Sequence, residues 1–183
     1  SNIQAQGVAN LLSDIVRFFP SPDSRSCAGI NRKTNEIFEG NYDFAKAKSA
    51  YIWKTIADPF IGKYSLMKIC TGTLKGDTVV YNVNKDAEEK IGKLYVLRGK
   101  DAIEVTELKA GDIGAVSKLS VTQTGDTMAV RTAPIVYHKP QTSVPYTYMR
   151  YKTVTKGDED KVSSALAKLM EEDLTLKSVN DKE

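Results

Sequence analysis

The chain has 183 residues, a net charge of +3, 41% hydrophobic and 27% charged residues. That balance is ordinary for a folded protein of one or two domains and too weakly basic to mark a nucleic-acid binder by charge alone. Two cysteines, Cys27 and Cys70, and one histidine, His138, cannot build a disulfide framework or a four-ligand zinc site unaided. Reduced thiols are expected. No apolar run approaches the roughly 20 residues of a membrane-spanning helix, and no secretory leader is visible, so the expectation is a cytoplasmic protein with no membrane partner.

Residues 7 to 19 predict an amphipathic helix, with Val8, Leu11, Leu12, Ile15, Val16 and Phe19 on one stripe and Asn10, Asp14 and Arg17 opposite. Pro20-Ser21-Pro22 ends it, because proline disfavours helical geometry in the residue before it. So short a helix is marginal alone in water, and its apolar face needs a partner. Residues 23–48 are polar without a sustained period and read as a linker, with room for a helical turn around 44–47. Arg32, Lys33, Lys46 and Lys48 read there as solvated charge before nucleic-acid contacts.

From Ala50 the period becomes two. Ala50, Ile52, Lys54 and Ile56 alternate with Tyr51, Trp53 and Thr55, and Ser65, Met67 and Ile69 with Tyr64, Leu66, Lys68 and Cys70. Pro59 belongs to the connection between these strands, since it has no backbone donor. Three Gly-Asp pairs, Gly76-Asp77, Gly111-Asp112 and Gly125-Asp126, each precede an apolar stretch. They read as turns in which glycine takes unusual φ and the aspartate bonds backbone amides. Strands around 91–99 and 102–105 complete many short strands at regular spacing, the pattern of a closed barrel without edges. Residues 132–144 hold Pro134, Pro140 and His138 and read as a connector, a poor place to position a catalytic histidine. Tyr146 to Thr153 alternate as a strand. A helix with an acidic first turn follows, with Val162, Ala165, Leu166 and Leu169 as its expected buried stripe, and Leu174, Leu176 and Val179 restart a period of two. Strand, helix, strand is half of a split βαβ unit.

The stretch DPFIGKYSLMKICTGTLKGDTVVYN resembles the start of the second domain of elongation factor G and its relatives, the translational GTPases, with the Gly-Asp pair one residue early. KIGKLYVLRG, ELKAGDIGAV and TQTGDTM resemble later strands of that domain. GVANLLSDIVRFFPSP resembles the last helix and linker of the family's GTP-binding domain. TKGDEDKVSSALAKLMEEDLTLK resembles the helix of its third domain, with Leu174 where a proline is usual.

The resemblance implies a mainly β fold: a six- to eight-stranded closed β-barrel of translation-factor domain II type, preceded by one amphipathic helix and followed by a partial ferredoxin-like βαβ unit. The corresponding divisions are 1–22 (end of a GTP-binding domain), 23–48 (linker), 49–131 (barrel), 132–144 (linker) and 145–183 (partial third domain). Ser1-Asn2-Ile3 falls where the family places a Ser-Ala loop against the guanine base. Ser1 and Asn2 read first as a frayed terminus and second as a remnant of that cofactor contact.

A GTPase needs a GxxxxGK[ST] loop to cradle phosphates, and these residues contain none. They also lack the family's Asp-x-x-Gly-His and Asn-Lys-x-Asp segments, so no catalytic residue is expected, nor any cofactor; GTP and Mg²⁺ belong to the implied parent. What the resemblance implies instead is a partner, the small-subunit rRNA of the ribosome, with no DNA and no membrane. Lys54, Lys63, Lys68, Lys75, Arg150 and Lys152 are the candidate rRNA contacts, with Tyr64, Tyr81 and Tyr95 as stacking candidates. A tetracycline-resistance ribosomal protection protein, an elongation factor G paralogue, or a stand-alone β-barrel interaction module are the alternatives.

Overall fold

The computed structural model describes residues 4–21, 24–58, 62–155 and 157–179. Its centre is an eight-stranded antiparallel sheet ordered β7-β6-β12-β3-β4-β11-β8-β9. The long strands β3 (Ser49–Asp58) and β4 (Gly62–Thr71) lie in its middle, where the alternation is strongest. They are flanked by β11 (Ile113–Ser117) and β12 (Thr127–Ala129). Beyond these lie β6 (Val79–Asn82) with β7 (Ala87–Lys90) on one side, and β8 (Leu94–Arg98) with β9 (Asp101–Val105) on the other. Val80 from one flank and Leu94 from the other meet Ile52, Met67 and Ile69 in one buried cluster, so the sheet curls around a single core. A separate ribbon, β5 (Thr73–Lys75) with β10 (Glu107–Lys109), adds Leu74 and Leu108 to that core. Burying each such side chain contributes about 1.5–3 kcal/mol.

The sheet is not closed. Among the described residues no ladder joins β7 to β9, which corrects the expected closed barrel. Two features stand where closure would be. β9 exposes Asp101 and Glu104, charges that discourage strand addition. On β7, Glu89 turns to the amides of residues 120–122 and ties a loop, not a strand, to that edge.

The two expected linkers also contain strands. β1 (Cys27–Asn31) pairs with β2 (Ile37–Gly40) and with β13 (Ile135–Tyr137) in a three-stranded sheet. This sheet packs on the central one through Ile135, Tyr137, Cys27 and Phe38 against Cys70 and Tyr51. Strands of three to five residues with polar neighbours carry little periodicity of their own. Their stability comes from a ladder between segments about a hundred residues apart, which a local pattern does not reveal.

A second phase change lies inside β3. Ile52 pairs with Met67 but Lys54 pairs with Leu66, leaving Trp53 as the extra residue of a β-bulge. Trp53 and Lys54 therefore both face outward, and Thr55, not Lys54 or Ile56, takes the buried position after Ile52.

The helix α1 (Val8–Phe18) forms as the apolar stripe predicts, but none of its residues is buried. Leu11, Leu12 and Val16 are more than half exposed, so the central sheet does not cover the stripe. Of the expected βαβ unit only α2 (Glu159–Glu172) is formed. Residues 146–153 and 174–179 have no strand ladder with any described residue, and Tyr146, Tyr148 and Met149 stand almost fully exposed. An extended segment without a hydrogen-bonding neighbour gains nothing from its alternation. The face of α2 turned inward is Val162, Leu166 and Met170, only half-buried, while Ala165 and Leu169 are exposed.

Candidate nucleic-acid interface

Residues directly paired across an antiparallel ladder share a face, and residues two apart along a strand do too. By that rule Lys54, opposite Leu66, lies on the same face of the β3–β4 ladder as Tyr64, Leu66 and Lys68. Lys54 is exposed and Lys68 half-buried. The Lys68 ammonium sits 4.9 Å from the centre of the Tyr42 ring. Burial would lower its pKa, but the hydrogen bond and charge of Tyr42, with the nearby Cys27 and Cys70, outweigh it and hold it above the ordinary value. These two lysines form one charged strip on the outside of the sheet.

The remaining candidates lie elsewhere. Lys63, an odd number of residues from Lys68, is on the opposite face of β4 and is ion-paired with Glu171 of α2 at 3.1 Å. Lys75 ends the separate β5–β10 ribbon, opposite Glu107. Arg150 and Lys152 lie on the exposed segment before α2. Ser1 and Asn2 fall outside the described residues. Of the stacking candidates, Tyr64 is buried edge-on against Tyr95, their ring centres 5.5 Å apart, and has no face left for a base.

A second basic group assembles from Arg32 and Lys33, which sequence reading took as solvated charge, and Arg131, which it did not single out. Where β1 ends, Arg32 donates to the Val83 carbonyl at 3.0 Å and Lys33 reaches the Thr132 carbonyl at 3.5 Å. Arg131, leaving β12, lies 4.9 Å over the Tyr81 ring and 3.2 Å from Glu88. The Tyr81 hydroxyl donates to Asp86 at 2.6 Å, which raises its pKa. Arg32, Lys33 and Arg131 thus surround the β6–β7 hairpin with one half-exposed aromatic ring between them. The β1–β13 pairing and the contacts of both arginines with the β6–β7 hairpin bring positions 32 and 131 together, so no local motif could have flagged them.

A buried polar network holds this corner rigid. The Asn82 side chain, fully buried, donates to Thr122 and Asp126 at 3.0 Å and accepts from the amides of Asn84 and Lys85. Asp126 also accepts from Gln123 N at 3.0 Å, and Asp112 from Lys109 N at 2.8 Å, so two of the three Gly-Asp pairs bond their turns as expected. Glu89 accepts from Ser120, Val121 and Thr122. Burial would raise its pKa, but those bonds from Thr122, Val121 and Ser120 hold it below the usual carboxylate value. Fully satisfied networks of this kind rigidify the surface they underlie. Among the described residues no group of three or more His, Cys, Asp or Glu side chains is placed to hold a metal ion, and His138 is exposed just beyond β13.

Comparison with known proteins agrees with this geometry. Residues 47–131 match the family described as elongation factor G domain 2, a span that takes in β3 to β12. Among solved structures, a crystal structure of a protein from Thermus thermophilus is similar with a TM-score of 0.59 and 25% identity. The similarity covers 93% of this chain and 23% of that one, so the chain spans less than a quarter of its relative's length.

Proposed function

From the match of residues 47–131 to the elongation factor G domain 2 family we propose that the chain is the ribosome-binding, non-catalytic part of an elongation factor G-like translational GTPase. In this reading it anchors the factor on small-subunit rRNA and relays nucleotide state to the domains beyond, in GTP-dependent translocation. GTP, Mg²⁺ and the hydrolytic machinery reside in the parent. The family match carries the proposal. Two features support it: the uncovered stripe of α1, which suits a GTP-binding domain as its cover, and the two basic surfaces, which suit phosphates.

Lys54 with Lys68, and Arg32, Lys33 and Arg131 around Tyr81, are the rRNA contacts this reading favours, with Lys75, Arg150 and Lys152 at the margins. Lys63 serves the fold through Glu171. The early Gly76 and the Leu174 departure favour a paralogue of elongation factor G, or a ribosomal protection protein, over the housekeeping factor.

Co-sedimentation with ribosomes tests the proposal, using the full-length parent and this chain with a non-hydrolysable GTP analogue. Nucleotide-dependent pelleting of the parent, with weaker nucleotide-independent pelleting of the chain, is expected. Failure of both to pellet would contradict it.

A further inference from the structure

Neither cysteine takes part in the interface above, yet the fold brings the two thiols together. Cys27 opens β1 and is half-buried; Cys70 is the extra residue of a bulge near the end of β4, where Ser49 pairs with Thr71 but Ala50 with Ile69, and it is fully buried. They meet in the cluster that joins the small sheet to the large one, near enough for each thiol to shift the other's pKa, while the Cys70 thiol also lies 3.7 Å from the Lys68 carbonyl. Cys27 Sγ lies 3.8 Å from the Tyr42 hydroxyl, whose ring carries the Lys68 ammonium on its face at 4.9 Å. Gly40, opposite Cys27 on β2, leaves the space: a Cβ there would come within 3.3 Å of both the Cys27 Cβ and the Cys70 carbonyl.

We propose that Cys27 and Cys70 are a reversible dithiol–disulfide pair, with Cys27 the attacking thiol and Cys70 the resolving one, and with small-molecule disulfides such as oxidised glutathione as substrate. The groups around Cys27 favour its thiolate. The hydrogen bond from Cys70, opposed by burial and aided by Tyr42 and Lys68, lowers its pKa to about 6, whereas the bond to Cys27 and burial push the Cys70 thiol up. Cys27 thus carries the charge and the solvent access, and Cys70 holds the proton. In the first step the Cys27 thiolate attacks one sulfur of the disulfide, forming a mixed disulfide and releasing one small thiolate. In the second, Cys70 gives its proton to that departing thiolate and attacks Cys27 sulfur. The Cys27–Cys70 bond forms and the second small thiolate leaves. Two protein thiols are oxidised by two electrons and one disulfide is reduced to two thiols. The product staples the β1–β2 hairpin, and with it the segment after α1, to the centre of the large sheet.

The test is reaction of the folded chain with oxidised glutathione, read by intact mass and peptide mapping without reductant. The wild type should end with a Cys27–Cys70 crosslink and no retained glutathione, and reductant should reverse it. Cys70→Ser, or Cys70→Ala should the serine unfold, should stop at a glutathione adduct on Cys27. Cys27→Ser should react at least tenfold more slowly. A stable wild-type adduct without crosslink, or equal reaction rates for wild type and Cys27→Ser, overturns the proposal.

Discussion

At the scale of single residues, three positions show where local chemistry and the fold agree or conflict. Ser65 Oγ is buried with no hydrogen-bond partner among the described residues, and it lies on the same face of β4 as the core residues Met67 and Ile69. Removing an unpaired buried hydroxyl recovers its desolvation cost, so Ser65→Ala is expected to raise stability by up to about 1 kcal/mol in denaturant titration. A loss of similar size would mean that the hydroxyl is bonded in solution. Asp77 adopts φ 53°, a left-handed value that its neighbour Gly76 does not take, whereas in the other two pairs Gly111 and Gly125 carry the positive φ. The pair that is one residue early in sequence therefore places an aspartate where a glycine fits. Asp77→Gly should stabilise by about 0.5–1 kcal/mol, since the ion pair it forfeits, 4.0 Å from Lys90, is exposed.

Glu89 makes the pH prediction. Its carboxyl is held below the ordinary 4.5, so its contribution is full above that value and is lost as pH falls through the folded one. Glu89→Gln should be less stable than wild type at pH 7 by roughly 2 kcal/mol, and the gap in melting temperature should close as pH drops below about 4.5. A constant gap would mean that the charge of Glu89 does not matter. The aspartates of Gly-Asp turns were legible in sequence because their bonds are local. Glu89 was not, because the loop at 120–122 that it holds is some thirty residues away.

At the scale of elements, the sequence exposes those whose stability is written in their own period. The helices α1 and α2 and the long strands β3 and β4 fall within two residues or so of their expected bounds. The misreadings concern contacts with distant segments. β1, β2 and β13 are too short to show alternation, and the strand-like residues 146–153 have alternation but no neighbouring strand among the described residues. The Trp53 bulge shifts β3 by one residue, a phase that no count of apolar positions reveals. The tie between α2 and the large sheet is likewise invisible locally. Glu172 accepts from the Ala57 amide and Glu171 pairs with Lys63, beside a cavity of about 300 Å³ lined in part by Met170, Leu174 and Thr55. With so little apolar burial, α2 should detach readily. Glu171→Lys should speed hydrogen exchange in α2 at least tenfold while leaving β3 and β4 protected. Equal protection of α2 in both proteins would show that the helix is held by other contacts.

At the scale of the whole molecule, one curled sheet presents two basic surfaces, and a helix with an uncovered apolar stripe precedes it in the chain. The family match of residues 47–131 was legible because the turn and strand residues from Asp58 to Asn82 keep both their order and nearly their spacing. The candidate interface was only partly legible: Lys54 and Lys68 share a face through the ladder, but Arg32 and Arg131 meet only in three dimensions. Phosphate contacts release counterions, so the proposed rRNA binding must weaken as salt rises, with a log–log slope near −0.7 to −0.9 per contact. The decisive experiment is small-subunit binding by this chain across a salt series, for the wild type and for Arg32→Gln/Lys33→Gln/Arg131→Gln. Salt-sensitive binding is expected, with a slope that flattens by about two to three units in the triple variant. Binding with no salt dependence, or no binding at low salt, would refute rRNA contact through these surfaces.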